Sequence, residues 1–183
     1  MNIRVLGLGN VLMSDDGFGP YVVRVIDAFY DMPENVQIID AGRPGLDLAP
    51  YLIGADVVIL IDTLTKAGTP GDIHTYDLGE IVAQSSEPLL CPHDPGIRAA
   101  LLRVSRAGEG PSHVLLIGVV PEWEATGVQL GPALREAVAP AIGLVVAELE
   151  RQGAAPSARL VPRTPETWWQ RGSDKRTPAG TTV

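Results

Sequence analysis

The chain has 183 residues, 45% of them hydrophobic and 20% charged, and carries a formal net charge of −8. That length suits one ordinary domain with a real core. The acidic balance argues against nucleic acid and against an anionic membrane as partner, since both need a basic face to neutralise phosphate. A single cysteine, Cys91, excludes an internal disulfide and suits a reducing cytoplasm. The longest apolar runs, such as VVILI at 57–61, fall far short of a bilayer span. The opening MNIRVLGLG runs straight into a strand pattern rather than a signal-peptide layout. The expectation is a cytoplasmic protein.

In chain order, Ile3–Leu8 is a short apolar run ending in glycine, the pattern of a buried strand. FGPYVVRVIDAFYD follows, with Val22, Val23, Ile26 and Phe29 at near-helical spacing and Pro20 in the first turn, where proline costs little. VQIID (36–40) reads as a second strand and GLDLAPYLIGA (45–55) as a short helix. DVVILID (56–62) is an uninterrupted apolar, β-branched run, the mark of a strand covered on both faces of a parallel sheet. DIHTYDL (72–78) alternates, as a strand nearer an edge does. DPGIRAALLRVSRA reads as a helix, HVLLIGVV as another buried strand, and GPALREAVAPAIGLVVAELERQG as a long last helix that Pro140 should kink or divide. Strand and helix alternating in this way predict a single three-layer α/β domain over 1–152, with helices on both faces of a largely parallel sheet, phosphorylase/hydrolase-like in layout.

The charge is uneven. Residues 153–183 carry a net +3, so the body must hold −11. This tail has four prolines and no apolar periodicity, and reads as mostly irregular. Trp168 and Trp169 are its sticky feature, either docking weakly on the body or anchoring a partner.

In such folds ligands bind beyond the carboxyl ends of the strands. Asn10, Asp15 and Asp16 follow the first strand, Asp40 closes the second, Asp62 ends the most buried one, and His93 and Asp94 precede a helix. Carboxylates with one imidazole suit zinc, nickel or manganese rather than thiophilic metals, and three ligands with open positions leave room for chemistry. Each residue also has a plainer reading. Asp15 is most simply a helix cap, whereas two adjacent acids exceed what one cap needs and leave Asp16 for another task. Asp62 could cap a turn, His93 could be a satisfied loop histidine, and Asp40 could be a turn former. His74 and His113 stand at strand starts without acidic company and read as structural, and Cys91 reads as a small buried residue before a thiolate ligand.

The Gly-x-Gly of the first loop does not announce a nucleotide. Leu12 stands where the third glycine belongs, and negative charge sits where phosphate would bind. No Gly-x-Ser-x-Gly elbow supports a serine hydrolase either.

GLGNVLMSDDGFG, together with ILIDT and CPHDPG, resembles the hydrogenase maturation proteases over about residues 3–150. The resemblance implies an endopeptidase that removes the C-terminal extension of a NiFe-hydrogenase large-subunit precursor once nickel is in place. It puts metal ligands on Asp16, Asp62 and His93, with nickel borne by the substrate. Asp40 is then a candidate general base, while Asn10 and the backbone around Gly42 and Arg43 are candidates to hold the extension. The chain departs from the family pattern in AGRPGLDL after Asp40, in Gly131-Pro132 before the last helix, and in its tail. A monomer is expected. Rival readings are a nickel-checking chaperone that does not cut and a spore-type acidic protease. A third is a peptidyl-tRNA hydrolase, which shares GLGN but would continue differently and suits an acidic body poorly.

Overall fold

The computed structural model describes residues 1–83, 94–123 and 125–171. Its elements run β1 (Ile3–Leu8), α1 (Phe18–Phe29), β2 (Tyr30–Asp31), β3 (Val36–Gly42), α2 (Ala49–Leu52), β4 (Val57–Thr63), β5 (Ile73–Asp77), α3 (Leu78–Ala83), α4 (Asp94–Arg106), β6 (His113–Val119), α5 (Pro132–Arg151) and β7 (Ser157–Ala158). Three short 3-10 turns, at Ser14–Gly17, Gly45–Leu48 and Trp168–Gln170, complete them.

Five strands form the sheet in the order β3-β1-β4-β6-β5. All neighbours are parallel except β5, which pairs antiparallel with β6 at one edge. The run Val57–Thr63 reads as a covered central strand, and every residue of β4 is indeed buried. Side chains alternate between two cores. Ile3, Val5, Ile59, Ile61 and Ile117 face α1 and α5, while Leu6, Leu8, Val58, Leu60 and Leu116 face α2, α3 and α4. On α1, Phe18, Val22 and Ile26 are fully buried, each contributing about 1.5–3 kcal/mol of apolar transfer as an upper bound.

Two expectations need adjustment. The helix read over 45–55 shrinks to a 3-10 turn and four residues of α2. The last helix runs unbroken from Pro132 to Arg151 instead of dividing at Pro140. Pro140 and Glu136 both lie on the exposed side of α5, so water can take the Glu136 carbonyl that the missing proline N–H leaves without a helical donor. Over its described residues, 153–171, the tail is mostly irregular, as expected, and is tied to the body. Ser157 and Ala158 pair with Asp31 and Tyr30, and the amides of Arg159 and Arg163 donate to Phe29 and Ala28 at 2.8 and 2.9 Å. Arg159 forms an ion pair with Asp31, and Trp169 is 8% exposed. Of the two readings for the tryptophans, docking therefore describes Trp169.

Candidate functional site

The chain leaves β1 for β3 on one side and returns for β4 on the other, which makes the carboxyl ends of β1 and β4 the topological switch point of the sheet. Crossovers diverge there and leave a crevice. Asp16 lies in the 3-10 turn after β1, Asp62 near the end of β4, and that turn packs against β4. Both carboxylates are buried, Asp16 at 4% exposure and Asp62 at 0%. Buried carboxylates need hydrogen bonds or a cation. Asp16 Oδ2 accepts the Asn10 amide at 2.9 Å, and Asp62 Oδ1 accepts the Thr63 amide at 2.8 Å.

The glycines of the first loop serve this close packing. Ile3, Val5 and Gly7 share the strand face that meets α1, and a Cβ on Gly7 would stand 2.3 Å from the Gly19 carbonyl oxygen. Gly9 has φ +132°, and a Cβ there would fall 1.7 Å from the Asp16 carbonyl oxygen. A backbone in that region with that neighbour admits only glycine. Gly-x-Gly here seats the start of α1 on the sheet instead of cradling phosphate.

Asp15 departs from its expected place. No side chain caps α1. Asp15 Oδ1 instead accepts the amide of Gly131, the residue before α5, at 2.7 Å, and Oδ2 accepts the amides of Glu122 and Trp123 at 2.9 and 3.1 Å. It ties the first loop to the loop that leads into a helix far along the chain.

The remaining candidates gather in one groove of about 370 Å³, lined by Gly9, Asn10, Leu12, Asp40, Gly42 and Arg43 among others. Gly42, at φ +58°, donates to Asp40 Oδ1 at 3.2 Å, and its carbonyl receives the Gly9 amide at 2.8 Å. Asp40 Oδ2 lies 3.1 Å from the Arg24 guanidinium. Both oxygens of Asp40 are thus occupied in holding the turn that ends β3. Asn10 Oδ1 accepts the Leu12 amide at 3.1 Å, an Asx-type closure that shapes the groove wall. Arg43 is exposed. Asn10 is the bridge in this arrangement: it lines the groove while its amide holds the carboxylate of Asp16.

Two oxygen-donor carboxylates at the switch point fit a hard or borderline cation. Among the described residues no group of three or more His, Cys, Asp and Glu side chains comes together to hold a metal. The expected third ligand, His93, lies outside the described residues, as does Cys91.

A family model for HycI, described as hydrogenase maturation protease, matches residues 20–148, well over half of the chain. The chain belongs to the hydrogenase maturation protease family. The hydrogenase expression/formation protein HupD of Bradyrhizobium diazoefficiens is 34% identical over 161 residues, covering 87% of this chain and 84% of that protein. The hydrogenase 2 maturation protease of Escherichia coli K12 is 30% identical over 154 residues, covering 84% and 93%. The solved structure of the hydrogenase maturating endopeptidase HybD from E. coli superposes with a TM-score of 0.80 at 30% identity, covering 87% of this chain and 98% of that one.

As a hydrogenase maturation protease family member, the chain shares the single α/β domain with its mostly parallel sheet. No helix among the described residues is long and apolar enough to cross a membrane. One groove residue escaped the reading of the body's motifs. Trp168 of the tail completes the lining beside Gly9–Leu12 and Arg43. Its only signal in the sequence is the Trp-Trp pair in an otherwise polar, proline-rich segment.

Proposed function

We propose that this family member is an endopeptidase that removes the C-terminal extension of a NiFe-hydrogenase large-subunit precursor after nickel insertion, working in the cytoplasm as a monomer. The observation that carries the reading is the pair of buried carboxylates, Asp16 and Asp62, at the switch point. Beside it, the groove is joined to Asp16 through Asn10. Carboxylate oxygens at one crevice are donors suited to a hard or borderline divalent cation, and a nickel ion borne by the precursor is such a cation.

The residues then divide the work. Asp16 and Asp62, with His93, offer oxygen and nitrogen donors to the substrate's metal, so that only a loaded precursor seats fully. The Asn10 amide fixes one oxygen of the Asp16 carboxylate. The groove along Asn10, Gly42 and Arg43 receives the extension in extended form and sets its scissile peptide near the acids. Hydrolysis breaks the amide C–N bond, water supplying the hydroxyl to the new carboxylate and the proton to the departing amine. Because Arg24 and the Gly42 amide already hold Asp40, its geometry favours a positioning role for the β3 turn over that of general base.

The test is intact-mass analysis of a nickel-loaded and a nickel-free large-subunit precursor after incubation with wild type or His93→Ala. Loss of a C-terminal peptide from the loaded precursor alone, with wild type alone, is the expected result. Cleavage that ignores nickel and survives His93→Ala overturns the metal-reading site. A stable complex with loaded precursor but no cut replaces protease with chaperone.

A further inference from the structure

The C-terminal segment returns to the body and brings an aromatic side chain to the groove. It is tied to the far end of α1 by β7, by the Arg159 and Arg163 amides and by the Arg159–Asp31 ion pair. At its other end, Gln170 Nε2 donates to the Val128 carbonyl at 3.1 Å. The neighbouring Gly127 is bonded to the first loop in both directions, through the Leu12 carbonyl and the Ser14 amide. The strap therefore runs from the end of α1 to the segment that is hydrogen-bonded to the first loop.

Between these ties the two tryptophans take different parts. Their rings meet edge to face, with centroids 5.8 Å apart at 89°. Trp169 is 8% exposed and Trp168 56%. One indole anchors, and the other is held against it and lines the groove together with Leu12, itself 50% exposed. Two large exposed apolar side chains on one groove gain burial when something apolar enters it. Arg43, on the same groove, forms no ion pair among the described residues, although the body around it is strongly acidic. The groove lies beyond the carboxyl ends of β1 and of the outermost strand β3, between the loops that leave them, which suits a segment of extended peptide.

Resting on the endopeptidase reading, we propose that Trp168 is a specificity-determining residue of the substrate groove: with Leu12 it grips an apolar side chain of the precursor's extended C-terminal segment, while Arg43 takes a neighbouring carboxylate. The occupant is a peptide strand with an apolar residue next to an acidic side chain or the chain terminus. The same groove is continuous with the proposed site through Asn10, so gripping the extension there fixes the register of the scissile bond.

The experiment compares wild type, Trp168→Ala and Trp168→Phe as full chains. Cleavage kinetics on the nickel-loaded precursor are read alongside anisotropy binding of a labelled synthetic peptide of the extension. Trp168→Ala raises KM and peptide Kd about tenfold with kcat within about twofold, and Trp168→Phe recovers most of the loss. Replacing the peptide's apolar residue by Ala weakens binding to wild type and has little further effect on Trp168→Ala. An unchanged or lowered KM and Kd in Trp168→Ala overturns the proposal, as does full additivity of the two changes. Failure of wild type to cut the loaded precursor strikes the endopeptidase reading instead, and the peptide-binding arm still decides the role of Trp168. The side chain is more than half exposed, so its removal leaves the core intact.

Discussion

Asp15 and Gly131 are hydrogen-bonded at 2.7 Å although 116 residues separate them. With Glu122 and Trp123 donating to the other oxygen, one fully buried carboxylate ties the loop after β1 to the loop that leads into α5. Asp15→Asn can satisfy only part of that set, because its NH2 must face a backbone donor. Leaving a buried donor unsatisfied costs about 1–3 kcal/mol. Urea unfolding of Asp15→Asn should show a loss of that size, and an unchanged midpoint would remove Asp15 from its structural role.

Asp16→Asn should behave in the opposite way. The Asn10 amide can still donate to the remaining side-chain oxygen, so stability stays within about 1 kcal/mol of wild type. The negative charge offered to the metal is lost, and cleavage of loaded precursor should fall by at least about a hundredfold. Circular dichroism melting beside the mass assay separates fold from function. A variant that cuts at the wild-type rate contradicts the assignment of Asp16.

Two glycines of the site loops make a matched comparison. Gly9→Ala puts a methyl 1.7 Å from the Asp16 carbonyl oxygen, with φ at +132°. Gly42→Ala meets nothing within 4 Å, at φ +58°. The second should cost about 1–2 kcal/mol for left-handed backbone alone. The first must displace the turn that carries Asp16, and should fail to fold or unfold at much lower denaturant. Equal midpoints for the two would mean that the loop tolerates rearrangement.

Asp40→Asn distinguishes a positioning residue from a base. A general base contributes roughly 10²–10⁴-fold to rate. The pairs with Arg24 and with the Gly42 amide point to positioning, so Asp40→Asn should lose less than about tenfold, mainly in KM. A kcat loss beyond a hundredfold, with KM unchanged, would restore Asp40 as the base.

Glu148 on α5 tests stability away from the site. It is 3% exposed, lies 2.9 Å from His113 Nε2 at the start of β6, and is bonded to Arg151 and Gln152. His113 begins the strand whose other end faces the switch point, so the cluster is remote from the proposed chemistry. Glu148→Gln should cost about 1–2 kcal/mol in urea unfolding, with kcat and KM for the loaded precursor unchanged. A selective loss of activity would reveal coupling along β6.

The sequence by itself determined the layers of this protein. Apolar runs such as Val57–Ile61, helical spacing on α1 and proline at the starts of helices are written in neighbouring residues, and the physics that reads them is local. That Asn10 and Asp40 share one rim followed from strand ends converging in an alternating fold, whereas Gly42 and Arg43 were candidates only through the family resemblance; the structure lines one groove with all four. Tertiary structure alone decided what Asp15 holds, since the amides that claim it arrive from 107 to 116 residues away. It alone kept α5 whole through Pro140, a matter of which side of the helix meets water. And it alone brought Trp168 to the groove: the tail has no periodicity of its own, and its course is set by hydrogen bonds and an ion pair to the end of α1 that no local pattern encodes.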